Sequence, residues 1–240
     1  MTHPNQITQL NIGMKNNFMK NPCTNHDYWS TEFRLTVSMP CFGRRVGTIR
    51  AIECIANQTA SNWEALVTGD GCPIMQDFVD SNYFADIVKH CEANGNQLII
   101  TNNKVNQGGH GYFITNENIK LARGKYFTFF ANDDIILPNH FDNYLSAIEN
   151  TDYDFMYFDS YVAPRRANRI AQLQYGMIGH SELIIKTDFI KQMPMHNEAY
   201  GHDFELIQNM MKLGTHAKAI NHPPTYHVMS LSDNREQGID

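Results

Sequence analysis

Three short stretches of the chain set chemically capable side chains at the ends of apolar runs. Phe129-Phe-Ala-Asn-Asp-Asp134 is a hydrophobic run that stops at two adjacent carboxylates. Neighbouring side chains in an extended chain point to opposite sides, so Asp133 and Asp134 can divide work, one accepting from a ligand hydroxyl and the other facing a divalent cation. The same pair also suits a helix entry, since aspartate is favoured just ahead of a first turn and Pro138 marks one. Asp70 closes a second run, Trp63-Glu-Ala-Leu-Val-Thr68, between Gly69 and Gly71, which allow close approach to the backbone. Its carboxylate can accept an N–H from a planar base, and Gly-Asp-Gly is equally a turn. Pro40-Cys-Phe-Gly-Arg44 ends a third run and offers an aromatic face beside a guanidinium, a pair suited to a stacked base and a phosphate. Taken alone, Phe42 reads as a core residue.

The elements that must carry these groups follow from periodicity. Residues 34–39, 63–68, 97–101 and 125–130 are β-rich runs closed by Pro, Gly or Asn signals. Between them Val46, Ile49, Ile52 and Ile55 recur at near-helical spacing, Phe84, Ile87, Val88 and Cys91 fit one helical face before Gly95, and residues 112–123 form a weaker helix. A helix over 139–149, strands at 154–159 and 183–186, and a helix from Asp203 to Gly214 complete the pattern. Strands alternating with helices predict an α/β fold with a mostly parallel central sheet flanked by helices on both faces, and ligands at the carboxyl ends of the strands. Residues 1–33 read as a polar, Asn-rich extension and 231–240 as a tail.

What lifts the individual motifs is their order. Val37-Ser-Met-Pro-Cys-Phe-Gly-Arg44, Asn57-Gln-Thr59, Trp63 to Gly71, Asn106-Gln-Gly108, Ala122-Arg-Gly-Lys-Tyr126 and Phe130-Ala-Asn-Asp-Asp134 together resemble the family-2 inverting glycosyltransferases of GT-A fold. The likeness continues less sharply through Gly201-His-Asp-Phe-Glu-Leu206 and Pro224-Thr-Tyr-His227, covering about residues 34–230. It implies a nucleotide-binding half at 34–134 and an acceptor half at 135–230. Pro40, Phe42 and Arg44 would frame the nucleotide, Asp70 would read the uracil N–H, Asp133 would contact ribose or sugar, and Asp134 would bind Mn2+ or Mg2+ beneath the diphosphate. Asp203 falls at the place of the family's catalytic base, with Glu205 in reserve. His227, then His222, are the candidate imidazole ligands, and a His ligand tilts the choice toward Mn2+. Asn106 to Gly111 reads as a glycine loop over the donor or a long turn. Residues 159–181, with Arg165, Arg166, Arg169, Tyr175 and His180, occupy the variable acceptor region. Departures from the family pattern are Gly43 for Asn, Gly69 and Cys72 in the acidic turn, Asn132-Asp-Asp134 for a strict Asp-X-Asp, and Thr115 for Arg.

The expected activity is transfer of a sugar, most simply from a UDP-sugar, to a hydroxyl of a glycan, lipid-linked or other acceptor. The alternatives are a sugar-nucleotide nucleotidyltransferase, for which Pro40 to Arg45 is a poor glycine-rich loop, and a nucleotide-sugar binding module without catalysis. P-loop and dinucleotide fingerprints are absent from the sequence. Composition bounds the partners. In 240 residues, 42% are apolar and 18% charged, which excludes a disordered or coiled-coil chain. The net charge of -6 excludes a broad polyanion-binding surface, so a diphosphate must be held locally. Five cysteines without a CxxC pair argue against a disulfide framework and for a reducing compartment. No uncharged apolar stretch approaches the ~18–20 residues of a membrane span. A cytoplasmic location, compatible with peripheral membrane attachment, is the expectation.

Overall fold

The computed structural model describes residues 32–193 and 201–229. Most of the expected leader, and the tail from 230 onward, lie outside the described residues.

The first half alternates strand and helix as the apolar spacing requires. It runs β1 (Phe33–Cys41), α1 (Arg45–Ala56), β2 (Trp63–Gly69), α2 (Pro73–Asp80), α3 (Ala85–Ala93), β3 (Gln97–Asn102), α4 (Tyr112–Leu121) and β4 (Gly124–Phe129). β1 pairs in parallel with β2 on one side and β4 on the other, and β2 pairs in parallel with β3. The second half contains β5 (Ile135–Ile136), α5 (His140–Ile148), β6 (Phe155–Tyr157), β7 (Ser160–Val162), β8 (Ala167–Arg169), β9 (Leu183–Lys186), α6 (Thr187–Ile190), α7 (His202–Leu213), β10 (His216–Lys218) and β11 (Tyr226–Val228). The large sheet has the order β10-β6-β9-β4-β1-β2-β3. Only β9 runs against its neighbours, β4 and β6. The sheet is therefore mostly parallel, as the alternation of elements predicts.

Strand alternation splits the core into two. Leu35, Val37, Met39 and Cys41 of β1 face one side, with Ile52 and Ile55 of α1 and Phe141 and Tyr144 of α5. Phe127 and Phe129 of β4 face the other, with Ile119 of α4 and Leu206, Ile207 and Met210 of α7. Helices thus cover both faces. At the amino ends of the strands, Glu64 is wholly buried. Its carboxylate accepts from Thr36 Oγ1 at 2.7 Å, from the Arg123 backbone N–H at 2.7 Å and from the Arg123 guanidinium at 2.6 and 2.9 Å. That network ties the α4–β4 connection to the sheet.

Two features depart from the sequence expectation. Helix α2 begins on Pro73 directly after the Gly-Asp-Gly turn and buries Ile74, Met75 and Phe78; its eight residues are too few to display a period. Residues 159–181, expected as a loop, contain the β7–β8 hairpin, which joins a second, four-stranded sheet in the order β5-β11-β7-β8. Among the described residues, no helix is long and apolar enough to cross a membrane.

Candidate active site at the carboxyl ends of the strands

β4, β1 and β2 are neighbours in the sheet, so their carboxyl ends bring the three sequence motifs side by side. At the exit of β1, Phe42 is 56% exposed, which places it on the crevice and not in the core. Gly43 and Arg44 both take positive φ. The Gly43 N–H donates to Cys72 Sγ at 3.2 Å, so Cys72 steadies this bend. The Arg44 guanidinium pairs with the Asp133 carboxylate across the exit of β4, and Arg50 Nη2 donates to the Asp133 carbonyl at 3.0 Å.

At the exit of β2, Asp70 is buried and both its oxygens are engaged. Oδ1 accepts the Gln107 N–H at 2.8 Å and Oδ2 the Gly108 N–H at 3.0 Å. The turn residue is also a clamp on the glycine loop. Gly71, at φ +63°, lies so close to that loop that a Cβ would fall 2.3 Å from the Asn106 nitrogen. Asn106 is thereby fixed over the turn through its backbone. Gly69 has no room for a side chain either, because Asn102 Oδ1 would be 2.2 Å from its Cβ. Asn102 closes a reciprocal pair with Cys72, accepting its N–H at 3.0 Å and donating to its carbonyl at 3.1 Å.

At the exit of β4 the two aspartates face different surroundings, as alternation predicts. Asp133 is part-exposed against Arg44. Asp134 is 7% exposed, accepts the Tyr226 hydroxyl at 2.5 Å and accepts the Met229 N–H at 2.8 Å. Burial pushes its carboxyl up to about 6; the Tyr226 hydrogen bond works against that rise and the charge of Asp133 adds to it. His227 follows Tyr226 in β11, opposite Ile135 in register and with its ring 5.1 Å from that of Tyr161. His222 lies elsewhere, 4.0 Å from Asp159, whose carboxylate also binds Lys218 at 2.7 Å. Among the described residues, no group of three or more His, Cys, Asp or Glu could hold a metal ion by itself.

Asp203 is the second residue of α7. Its Oδ1 accepts the Phe204 N–H at 2.8 Å, and Oδ2 lies 4.0 Å from His180 Nδ1. The His180 ring meets Phe129, the last residue of β4, edge-on at 4.8 Å. This chain of contacts sets Asp203 at the same end of the sheet as the aspartate pair. Glu205, two residues on, is roughly 200° further round the helix, and its Oε2 is buried with no hydrogen-bond partner among the described residues. Of the loop arginines, Arg169 is committed to Glu182 at 2.8 and 2.9 Å, while Arg165 and Arg166 are exposed at the β7–β8 turn. Tyr226, Asn102 and the Gln107 and Gly108 amides carry no chemical signature in the sequence; only the fold assigns them to the site.

A family model for Glycosyl transferase family 2 matches residues 36–208, and the chain belongs to that family. It is 25% identical over 126 residues to the Escherichia coli UDP-Glc:alpha-D-GlcNAc-diphosphoundecaprenol beta-1,3-glucosyltransferase WfgD, covering 52% of this chain and 45% of that protein. The chain spans less than half the length of the curated relatives it matches. Among solved structures it shares its fold with S. aureus TarS 1-349 in complex with UDP-GlcNAc, at a TM-score of 0.66 and 15% identity over 85% of this chain and 59% of that one. It also shares it with the mannosyltransferase PcManGT from Pyrobaculum calidifontis in complex with GDP-Man and Mn2+, at a TM-score of 0.57 and 14% identity over 96% and 65% of the two chains. The GT-A fold and membership of a glycosyltransferase family are thus established.

Proposed function

We propose that the chain moves a sugar from a nucleotide-diphosphate sugar, with uridine the favoured base, to an acceptor hydroxyl with inversion at the anomeric carbon. The observation that carries this reading is the convergence of Arg44, Asp133 and, through His180 and Phe129, Asp203 on one end of the sheet. Uridine is favoured because WfgD is named for UDP-Glc and TarS binds UDP-GlcNAc. Phe42 offers a face for the base, Asp70 holds the loop of Asn106 over the base side, and Arg44 meets the diphosphate. Asp203 accepts the acceptor proton as the acceptor oxygen bonds to the anomeric carbon and the bond to the diphosphate breaks. The products are the glycosylated acceptor and the nucleoside diphosphate.

The residues fit a divalent cation that is shared with the diphosphate. Asp133 already faces a positive group, Arg44, on its crevice side, and His227 sits on the strand paired with β5. We assign Asp133 and His227 as the protein donors and Asp134, whose oxygens are taken by Tyr226 and Met229, as the residue that positions them. Such a cation would absorb charge on the departing diphosphate. Acceptor class, cytoplasmic location and peripheral membrane attachment belong to the same proposal. Asp203→Asn tests the base: transfer should fall by at least ~10^2-fold, the lower range for general-base loss, with UDP affinity unchanged. Transfer that survives at wild-type rate would remove Asp203 from that role.

A further inference from the structure

We propose that Tyr175 forms a wall of the acceptor site and that the acceptor group it receives is a pyranose, seated with its C–H face on the phenol ring. The inference rests on Asp203 being the base. Tyr175 is 65% exposed, yet its ring is held in place. It packs edge-on against Phe204, with centroids 5.6 Å apart and planes at 82°. It also lies against Gly201, where an added Cβ would be 3.3 Å from Cε2 and 3.8 Å from the hydroxyl. Gly201 and Phe204 bracket Asp203 in the chain, and the Phe204 N–H donates to the Asp203 carboxylate. Ring and base are therefore set by one turn.

Single exposed apolar side chains are ordinary on a protein surface. An ordered aromatic face fixed to the residues on either side of a general base is a more specific arrangement. Binding sites combine such a face with a few polar groups that fix orientation. The polar neighbours here are the Asp203 carboxylate and, at 4.0 Å from it, the His180 imidazole. Arg169, from the same stretch of chain, is committed to Glu182. A carboxylate, an imidazole and a phenol recognise hydroxyl groups, and a flat ring recognises an apolar face. A pyranose presents both, with C–H groups on a face and hydroxyls around its rim.

The test is saturation-transfer NMR of methyl β-D-glucopyranoside, methyl β-D-galactopyranoside and methyl N-acetyl-β-D-glucosaminide, with UDP and Mn2+ present and absent. Wild type should transfer saturation to the ring C–H protons of at least one glycoside. Tyr175→Ala should weaken that binding about tenfold, the scale of one aromatic contact, while Tyr175→Phe stays within about twofold. The UDP-induced thermal shift should be equal in all three proteins, which also reports that the variants fold. Glycoside binding that is unchanged in Tyr175→Ala, or absent for all three glycosides in wild type, overturns the proposal. Failure of the base reading is separately visible, because Asp203→Asn would then retain transfer whatever happens to glycoside binding.

Discussion

Replacing Asp134 by asparagine should make the protein more stable at pH 8 and leave it no more stable at pH 4. Burial raises the carboxyl from the ordinary 3.8 to about 6, against the hydrogen bonds of Tyr226 and Met229. The folded protein therefore holds a proton on Asp134 more tightly than the unfolded chain does. The stability that proton contributes is fully present below pH 3.8 and is lost as pH rises through about 6. A difference of about two in pKa corresponds to about 3 kcal/mol forgone at pH 8. Asparagine keeps the shape without the charge: its Oδ1 can accept the Met229 N–H while its Nδ2 donates to the Tyr226 oxygen. For a domain of this size the gain would appear as a rise in Tm on the order of 6 °C or more. Calorimetric unfolding in a chelator at pH 4, 6 and 8 measures it. A variant no more stable than wild type at pH 8, or a difference that does not change with pH, refutes the reasoning. The same proteins divide the cation between the two aspartates. A Mn2+-dependent thermal shift with UDP should survive in Asp134→Asn and vanish in Asp133→Asn, and the reverse would make Asp134 the ligand.

Two further substitutions probe the donor loop and the sheet. Asp70→Ala releases the Gln107 and Gly108 amides, and UDP binding by calorimetry should weaken by about 1–3 kcal/mol, the scale of a hydrogen bond to a charged group; unaltered affinity returns Asp70 to a turn residue. Glu64→Ala leaves the Arg123 guanidinium beside an empty, buried position at the amino end of the sheet, and urea unfolding should show a loss of about 3–5 kcal/mol. A loss below ~1 kcal/mol would mean that Arg123 finds another partner.

The parallel strands β1 to β4 were readable from sequence because buried strands are continuous apolar runs, and each here ends at a turn residue. Helices α1, α3, α4, α5 and α7 were readable from spacing. The three-residue strands at 160–162, 167–169, 216–218 and 226–228 were not, because three residues do not fix a period and their pairing is decided by tertiary packing. The site followed the same division. Alternation separated Asp133 from Asp134, but which of them faces the crevice depends on Tyr226 and Met229, 92 and 95 residues further along the chain. Phe42, equally suited to core or crevice by residue type, is decided by the positive φ at Gly43 and Arg44 that turns the chain outward. Cys72 and Gly69, departures from the family pattern, are explained by Asn102, whose side chain fills the space above Gly69 and hydrogen-bonds Cys72.

The reversed strand β9 has a consequence for how acceptor choice can change. Residues 158–182 leave the sheet at the end of β6 and return at the start of β9, where Tyr157 stands opposite Leu183 and the Phe158 N–H donates to the Glu182 carbonyl at 3.0 Å. The two ends of the excursion are pinned together by the sheet itself. Lengthening or exchanging what lies between them changes the closure entropy only slowly. The stretch that carries Arg165, Arg166, Tyr175 and His180 is in effect a cassette with a fixed socket. Grafting it between relatives offers a way to trade acceptors while the donor side, built on the exits of β1, β2 and β4, stays as it is.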